Sequence, residues 1–468
     1  MQTKKPSVYI PTLYFAEGLP YTVVMLMAGV FFKTLGADNT FVGLTTLLYW
    51  PWVLKFAWSP FVDLYATKRG WIVVAQVVLA VSLAALAAVA FFTGGGQFGA
   101  IVTAASIVLT VCAFASATQD VAIDGFYLDV LDDEQKAFFV GVRNTFYKVA
   151  WMFGYGGMVY LAGKIAETHG VGAGWGVAFG ICAGAMLACG VFHAWYLPQS
   201  NNKRQTEQEP EPTAKTMIGT AASPRGKEFA RAIGTYFKQP AIIPIVLYIL
   251  TFRFGDALML KQAPNFLLDP AAKGGLGLSL ADIGVINGTV GVIALLCGGI
   301  VGSWLISKYG LKKCMWPFAL IQNGAILLYW ALAAFPHQFA VTAGGINPHL
   351  PAVYVINSVE QFTYGLGVAA YTVFLMTTVK TEYKAAHYAT ATALMALGMM
   401  TPGVASGYLY QLLGYANFFL VSFFTSLPGI FAIFFLPIWH ETRPIVVGEI
   451  KGEQVAVSQA RQVGSESK

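Results

Sequence analysis

The chain has 468 residues, of which 56% are hydrophobic and 11% charged, and its mean hydropathy is +0.61. Soluble domains carry about 25% charged residues, so composition excludes a soluble enzyme or binding module and points to an all-α membrane protein. The formal net charge of +6 comes from lysines and arginines in short loops, which gives no reason to expect a nucleic-acid partner.

Hydrophobic runs long enough to cross a hydrocarbon core of about 30 Å follow one another down the sequence. Six fall at about 8–32, 41–62, 71–92, 99–127, 138–163 and 174–197. Six more fall at about 241–262, 282–306, 314–335, 350–379, 386–411 and 415–438. The organisation expected is a six-helix half over 1–197, a cytoplasmic linker over 198–240, a second six-helix half over 241–441 and a tail over 442–468. An amphipathic piece around Glu228–Phe237 is expected to lie on the membrane surface. Met1–Ser7 joins the first span too directly to act as a cleaved leader, so that span is expected to be retained.

The two halves share a signature. Phe15–Leu19 and Phe254–Leu258 superimpose with Glu17 on Asp256, and the same alignment places Tyr9 on Tyr248 and Ile10 on Ile249. A carboxylate at a helix centre in lipid costs about 2.5–3.5 kcal/mol on insertion scales, so it is seldom left there without a use. Repeated halves with ionisable groups near the midplane characterise secondary transporters. Glu17, Asp256 and Asp120 are the candidates for proton coupling, because low dielectric penalises a charged carboxylate and favours proton loading. Arg253 and Lys261 flank Asp256, which makes Glu17 the better carrier.

Loop charge sets the expected orientation. Lys68 and Arg69 follow the second span, Lys136 the fourth, Lys308, Lys312 and Lys313 the eighth, and Lys380 and Lys384 the tenth. The opposite loops hold Lys33, Lys164 and Lys273. Both termini are therefore expected in the cytoplasm, with the chain a multi-pass membrane protein.

The third, ninth and twelfth spans contain no Asp, Glu, Lys or Arg, and the sixth contains only His193. Such a period suits the major facilitator architecture, in which the first helix of each three lines a cavity and the third is peripheral. Asp120 and Asp124 share a face of span four, with Lys55, Arg143 and Lys148 expected at matched depth. Asp124, Arg143 and Lys148, together with the loop residues Asp63 and Arg69, are assigned structural or gating roles. Lys55, Gln119, Arg253, Lys261, Glu360, Gln361, Tyr21 and Tyr147 are assigned to substrate. Glycine runs at 153–157, 297–299 and 365–367 are read as close helix crossings. The five cysteines show neither metal-ligand spacing nor a disulfide framework. No catalytic constellation and no cofactor motif emerges, so a transporter is expected rather than an enzyme or a sensor.

Specific motifs sharpen this. Leu54-Lys55-Phe56-Ala57-Trp58-Ser59-Pro60-Phe61-Val62-Asp63 with Arg69-Gly70-Trp71, and Thr118-Gln119-Asp120-Val121-Ala122-Ile123-Asp124 with Asp129-Val130-Leu131, resemble the AmpG muropeptide permease family. Glu360-Gln361, Gly365, Gly367 and Tyr388-Ala389 are similar to that family's tenth and eleventh spans. The resemblance implies a major facilitator fold. It also implies proton-driven import of anhydromuropeptides, cell-wall fragments that carry N-acetylglucosamine, anhydro-N-acetylmuramic acid and a short peptide. The same motifs resemble the related acetyl-CoA transporters, so a large organic anion such as acetyl-CoA or a siderophore is the alternative cargo. Five intramembrane cations against five acids suit a zwitterionic or weakly anionic ligand. Tyr21, Trp50, Tyr147, Trp151 and Tyr364 offer faces for sugar rings. A monomer working with protons and a sugar-peptide is the expectation.

Overall fold

The computed structural model describes residues 5–92, 98–199, 231, 233–341, 347–379 and 384–437, and those residues form helices and turns without a strand. The expected tail and most of the expected linker lie outside the described residues. Twelve spans follow from the helices. The first six are α1 (Pro6–Thr34), α2 (39–64), α3 (Lys68–Phe91), α4 (Phe98–Val130), α5 (133–169) and α6 (Val171–Tyr196). The last six are α7 (Ile242–Leu268), α8 (Leu280–Tyr309), α9 (Leu311–Ala334), α10 (Leu350–Thr377), α11 (384–413) and α12 (415–435).

By length and hydropathy alone, 8 helices among the described residues qualify as membrane-crossing, the last of them running over Thr390–Phe435. The remainder have physical reasons to fall short. Gly414, at φ +67°, divides that last stretch into α11 and α12. Two 3-10 turns, Thr45–Tyr49 and Lys55–Ala57, interrupt α2. α5 begins with charged residues, and α10 carries Asn357, Glu360 and Gln361 at its centre.

Helix starts are fixed by local chemistry. Asp38 accepts a hydrogen bond from the Phe41 amide at 2.7 Å ahead of α2, and Asp132 one from Gln135 at 2.8 Å ahead of α5. Ser279 and Asp282 form a reciprocal capping box at the start of α8. The α5–α6 and α8–α9 junctions each turn on one glycine at positive φ, Gly170 (+86°) and Gly310 (+81°), a backbone region hostile to other residues.

The internal repeat reads as packing. Tyr9 and Tyr248 are both buried. Tyr9 meets Phe126 of α4 edge-on at 6.0 Å and 75°, while Tyr248 meets Phe374 of α10 at 4.9 Å and 80°. The first helix of each set of six therefore crosses the fourth through the same tyrosine–phenylalanine contact. The third helix of each three, expected to be peripheral, also makes buried polar contacts. α3 supplies Gln76 to His193 of α6 at 2.9 Å, and α9 supplies Gln322 to Asp256.

The six-helix sets touch mainly at one end. At the end opposite the α6–α7 connection, here the distal end, glycines bring backbones together. A methyl group on Gly156 of α5 would strike Thr289 and Gly288 of α8, and one on Gly43 of α2 would press on Gly403 and Gly407 of α11. These are the close crossings that small residues permit. The hydrogen bonds between described residues that join the two sets also lie in the distal half. At the linker end the sets stand apart. The described part of the expected amphipathic piece is helical over 233–236 and docks on the second set instead of resting only on lipid. Its Tyr236 is buried, with the hydroxyl 3.2 Å from Thr378, and Thr235 contacts His387 at 2.9 Å.

Candidate functional site

Between the two sets lies a cavity of about 1040 Å³, lined by α1, α2, α5, α7, α8, α10 and α11 with Tyr329 of α9. It runs from Asn265 and Asn287 near the distal closure to Ser307 and Met376 near the linker end. Span four, expected to line it, contributes no residue to its wall. The candidates thus divide into two groups.

Tyr21, Tyr147, Lys148, Arg253, Lys261, Glu360 and Gln361 face the cavity. Tyr21 sits in an aromatic cluster, stacked on Trp151 at 6.0 Å and 4°, edge-on to Trp52 at 5.3 Å, and 5.9 Å from Tyr147. Trp50, also expected to offer a sugar-binding face, is 39% exposed and lies outside the lining. Lys148 places Nζ 3.3 Å from the centre of the Trp151 ring. Arg253 stands where α7 breaks, as the residue before Phe254, and its Nη2 donates to the Tyr364 hydroxyl. Lys261 donates to Thr45 Oγ1 at 3.1 Å, and Gln361 donates to Glu360 Oε2 at 2.8 Å. Three turns of wider π-helical winding, Val23–Met27, Met152–Met158 and Gly284–Val290, lie in α1, α5 and α8 beside it. Such bulges recur at functional sites because they displace side chains from the regular helical ladder.

The second group is a charged cluster inside the first set, outside the cavity wall. Lys55 and Asp120 form an ion pair, and Arg143 reaches Asp124 at 3.2 Å. Tyr14 donates to Asp124 at 3.3 Å and lies under the Arg143 guanidinium at 4.7 Å. Gln119 donates to the Ala16 carbonyl at 2.9 Å, pinning α4 to α1 beside Glu17. Glu17 is 8% exposed, faces Asp120, and its Oε2 is buried with no hydrogen-bond partner.

Several expectations need correction. Glu17 and Asp256, the proton-coupling candidates on the first helix of each half and so expected at the cavity, both lie behind its wall. Asp256 is 2% exposed and accepts from Gln322, because the break at Arg253 turns the start of the following helix toward α9. Lys148, grouped with the acids of span four, sits at the cavity. Lys55 and Gln119, assigned to substrate, belong to the cluster. The even charge count is not an even distribution. The cavity wall carries Lys148, Arg253 and Lys261 against Glu360, since most of the acids are drawn into ion pairs or a hydrogen bond from a carboxamide behind it. Arg69 donates to the Ala194 carbonyl of α6, and the Asp63 side chain lies outside the described residues. The adjoining Lys68 fills space at Gly125, where a Cβ would come within 2.9 Å of Lys68 Cε.

Two features escaped the sequence reading. One is a set of wall carboxamides, Asn144, Asn265, Asn287 and Asn357. Asn357 accepts from Tyr329 at 3.1 Å and donates to the Ile286 carbonyl at 3.0 Å, whereas Asn287 Nδ2 is buried and unpartnered. The other is the distal closure. Lys33 at the end of α1 pairs with Asp269 after α7 at 2.8 Å, with side chains 10% and 5% exposed. Asn39 donates to the Tyr415 hydroxyl at 2.8 Å, and that hydroxyl donates to Asp269. Lys33 reads in the sequence as an ordinary loop charge. The carboxamides left a usable signal in their cost within lipid.

The family model described as Major Facilitator Superfamily matches residues 12–346. An uncharacterized protein of Haemophilus influenzae is 27% identical over 90% of this chain and 92% of its own length. The anhydromuropeptide permease of Escherichia coli K12 is 25% identical over 89% of this chain and 77% of its own. The crystal structure of the nucleoside transporter NupG superimposes with a TM-score of 0.63 at 15% identity, covering 92% of this chain and 98% of that one, which speaks for the fold alone. Twelve spans among the described residues around a cavity shut at one end, with the family match over most of the chain, lead to one assignment: the chain belongs to the major facilitator superfamily, as an AmpG-type transporter.

Proposed function

We propose that this protein imports an anhydromuropeptide, or a related amino-sugar conjugate, across the bacterial inner membrane by proton-coupled alternating access. The observation that carries the reading is the cavity wall, which sets an aromatic cluster around Tyr21 and Trp151 beside the carboxamides Asn144, Asn265, Asn287 and Asn357. Flat aromatic faces suit sugar rings, and carboxamides suit hydroxyl and N-acetyl groups. Ligand pockets of drug-sized molecules occupy about 300–1,000 Å³, so a cavity of about 1040 Å³ has room for more than one sugar. Loop lysines and arginines assign the linker end to the cytoplasm. In that orientation both termini are cytoplasmic and the conformation is inward-facing.

Glu17 and Asp120 are the proposed proton site. One proton shared between these facing carboxyl groups gives the buried Glu17 Oε2 a partner, while Lys55 stays paired with Asp120. Asp256, held by Gln322, is the weaker candidate. The test is uptake of labelled anhydromuropeptide into proteoliposomes under an inward proton gradient. Glu17→Gln is expected to abolish uphill accumulation and retain counterflow exchange. Normal accumulation in that variant refutes the proton site. The cation excess on the wall favours one second reading, a large anion such as acetyl-CoA. Saturable acetyl-CoA uptake without competition by the muropeptide would replace the cargo and keep the transporter.

A further inference from the structure

We propose that Lys148, Arg253 and Lys261 form a two-pole anion subsite that holds carboxylate groups of the transported molecule. This rests on the transport reading above and adds the ligand's charge and its spacing.

All three side chains face the cavity, and none makes an ion pair with a described residue. Their contacts are with neutral groups: the Trp151 ring for Lys148, the Tyr364 hydroxyl for Arg253, and Thr45 Oγ1 for Lys261. Arg253 also keeps a buried Nε–H without an acceptor. Glu360, the acid on the wall, is engaged by Gln361. A cation in a membrane interior normally finds a carboxylate within the protein, as Lys33, Lys55 and Arg143 do here. Lys148 and Lys261 do not, and Arg253 has Asp256 nearby without an ion pair to it, so three cations facing one cavity are set out for an external anion.

The cations are not bunched. Lys148 and Arg253, from α5 and α7, lie close enough for their charges to repel. Lys261 is eight residues further along α7, about 12 Å of helical rise toward the distal closure. Its hydrogen bonds reach back to Thr45 and the Met25 carbonyl of the first set. Charge therefore concentrates at two poles, with the aromatic cluster beside the first. A compact monoanion uses one pole. An elongated molecule with carboxylates well apart uses both, and Arg253 has the planar fork that accepts a carboxylate in two-point contact. In a muropeptide the lactyl carboxyl is tied up in the amide to the peptide, so the free carboxylates lie along the peptide, and the lactyl carboxylate is free only in the peptide-free sugar.

The test uses the purified full chain and the quenching of tryptophan fluorescence, since Trp151 lies in the wall. Four probes are titrated: the anhydro-disaccharide tripeptide, the same compound with its carboxylates converted to carboxamides, the peptide-free disaccharide with its lactyl carboxylate, and citrate. The tripeptide acid is expected to bind at least tenfold more tightly than its amide, and Lys148→Gln and Lys261→Gln should each reduce that advantage to less than threefold. The peptide-free disaccharide, whose lactyl carboxylate is free, is expected to respond to one of these variants and not to the other, which identifies the pole that the lactyl arm reaches. Lys148→Arg should restore the preference, separating charge from folding defects. Equal binding of acid and amide to the wild type overturns the subsite, as does an advantage untouched by Lys148→Gln, Arg253→Gln and Lys261→Gln. If no sugar probe binds, citrate decides: binding lost in the variants upholds the subsite and fails only the cargo, whereas no citrate binding overturns the subsite too.

Discussion

The distal closure offers the sharpest mechanical prediction. Lys33 and Asp269 meet only when the two six-helix sets are together at that end, and their side chains are 10% and 5% exposed. Removing one partner of a buried pair costs about 3–5 kcal/mol, because the other charge is left uncompensated. Asn39 still accepts from Lys33, and the pair lies near the rim, so about 2–3 kcal/mol is the expected loss for Asp269→Asn. At 1.4 kcal/mol per factor of ten, that shifts the closed-to-open ratio roughly 30- to 140-fold toward distal opening. Thr46 reports the change. It lines the cavity, packs against Gly403, and its hydroxyl has no partner to lose on Thr46→Cys. The assay is alkylation of that cysteine in intact cells by an impermeant maleimide supplied outside. Its rate should rise by the same factor in Asp269→Asn. The double replacement Lys33→Met with Asp269→Leu should return it toward the starting rate, since apolar residues of similar volume substitute for a buried pair at little cost. Equal rates in all three backgrounds would refute the latch.

Two further outcomes are expected. Gly18 sits where α1 crosses α5, with the Tyr147 carbonyl 2.9 Å from the place of a Cβ, so Gly18→Ala must spread that crossing. Overpacking of this kind costs about 1–3 kcal/mol, and steady-state uptake should fall at least fivefold while protein levels in the membrane hold, with unchanged uptake counting against a role for the crossing. For topology, Thr168→Cys at the exposed distal turn should react with an impermeant reagent added outside cells, and Glu134→Cys at the linker end should not. The reverse pattern would invert the orientation.

Much of the fold was legible because lipid makes the code simple: long apolar runs, and a repeated Phe–acid–Leu segment whose flanking Tyr9 and Tyr248 make matching contacts. The Lys55–Asp120 and Arg143–Asp124 pairs were legible as a group, since opposite charges at equal depth seek one another. Which way each acid points was not. Helical spacing gives a residue its face, but the face toward the cavity depends on breaks that spacing does not record. At Arg253 the backbone leaves the helix at φ −101° and ψ 13°, and the helix restarts one residue before Gly255 and two before Asp256. Lys148 is a similar case: five residues after Arg143 on α5, it lies more than a full turn away and falls on the cavity side. The Lys33–Asp269 pair joins residues 236 apart, and nothing local signals it.

The arrangement of α1 and α5 bears on how a proton in one place can alter binding in another. Glu17 and Gly18 are adjacent on α1, one facing the Asp120 carboxyl and the other pressed against the Tyr147 backbone of α5. On α5, Tyr147 and Lys148 stand on the cavity wall, and one turn earlier Arg143 holds Asp124. A charge change at the proposed Glu17–Asp120 site therefore acts on a helix crossing whose other side is the anion subsite and its aromatic neighbour Trp151. Neutralising Glu17 relieves repulsion among Glu17, Asp120 and Asp124, which Lys55 and Arg143 offset only in part. Two cations for three carboxyl groups leave one proton's worth of charge unmet. On the proposed reading the cluster is electrostatically complete only when loaded, while the cavity wall, with three cations and one acid, keeps a net positive charge for an anionic cargo. Two sites of opposite deficit across one helix crossing give a physical basis for cotransport of a proton with a carboxylate-bearing cargo.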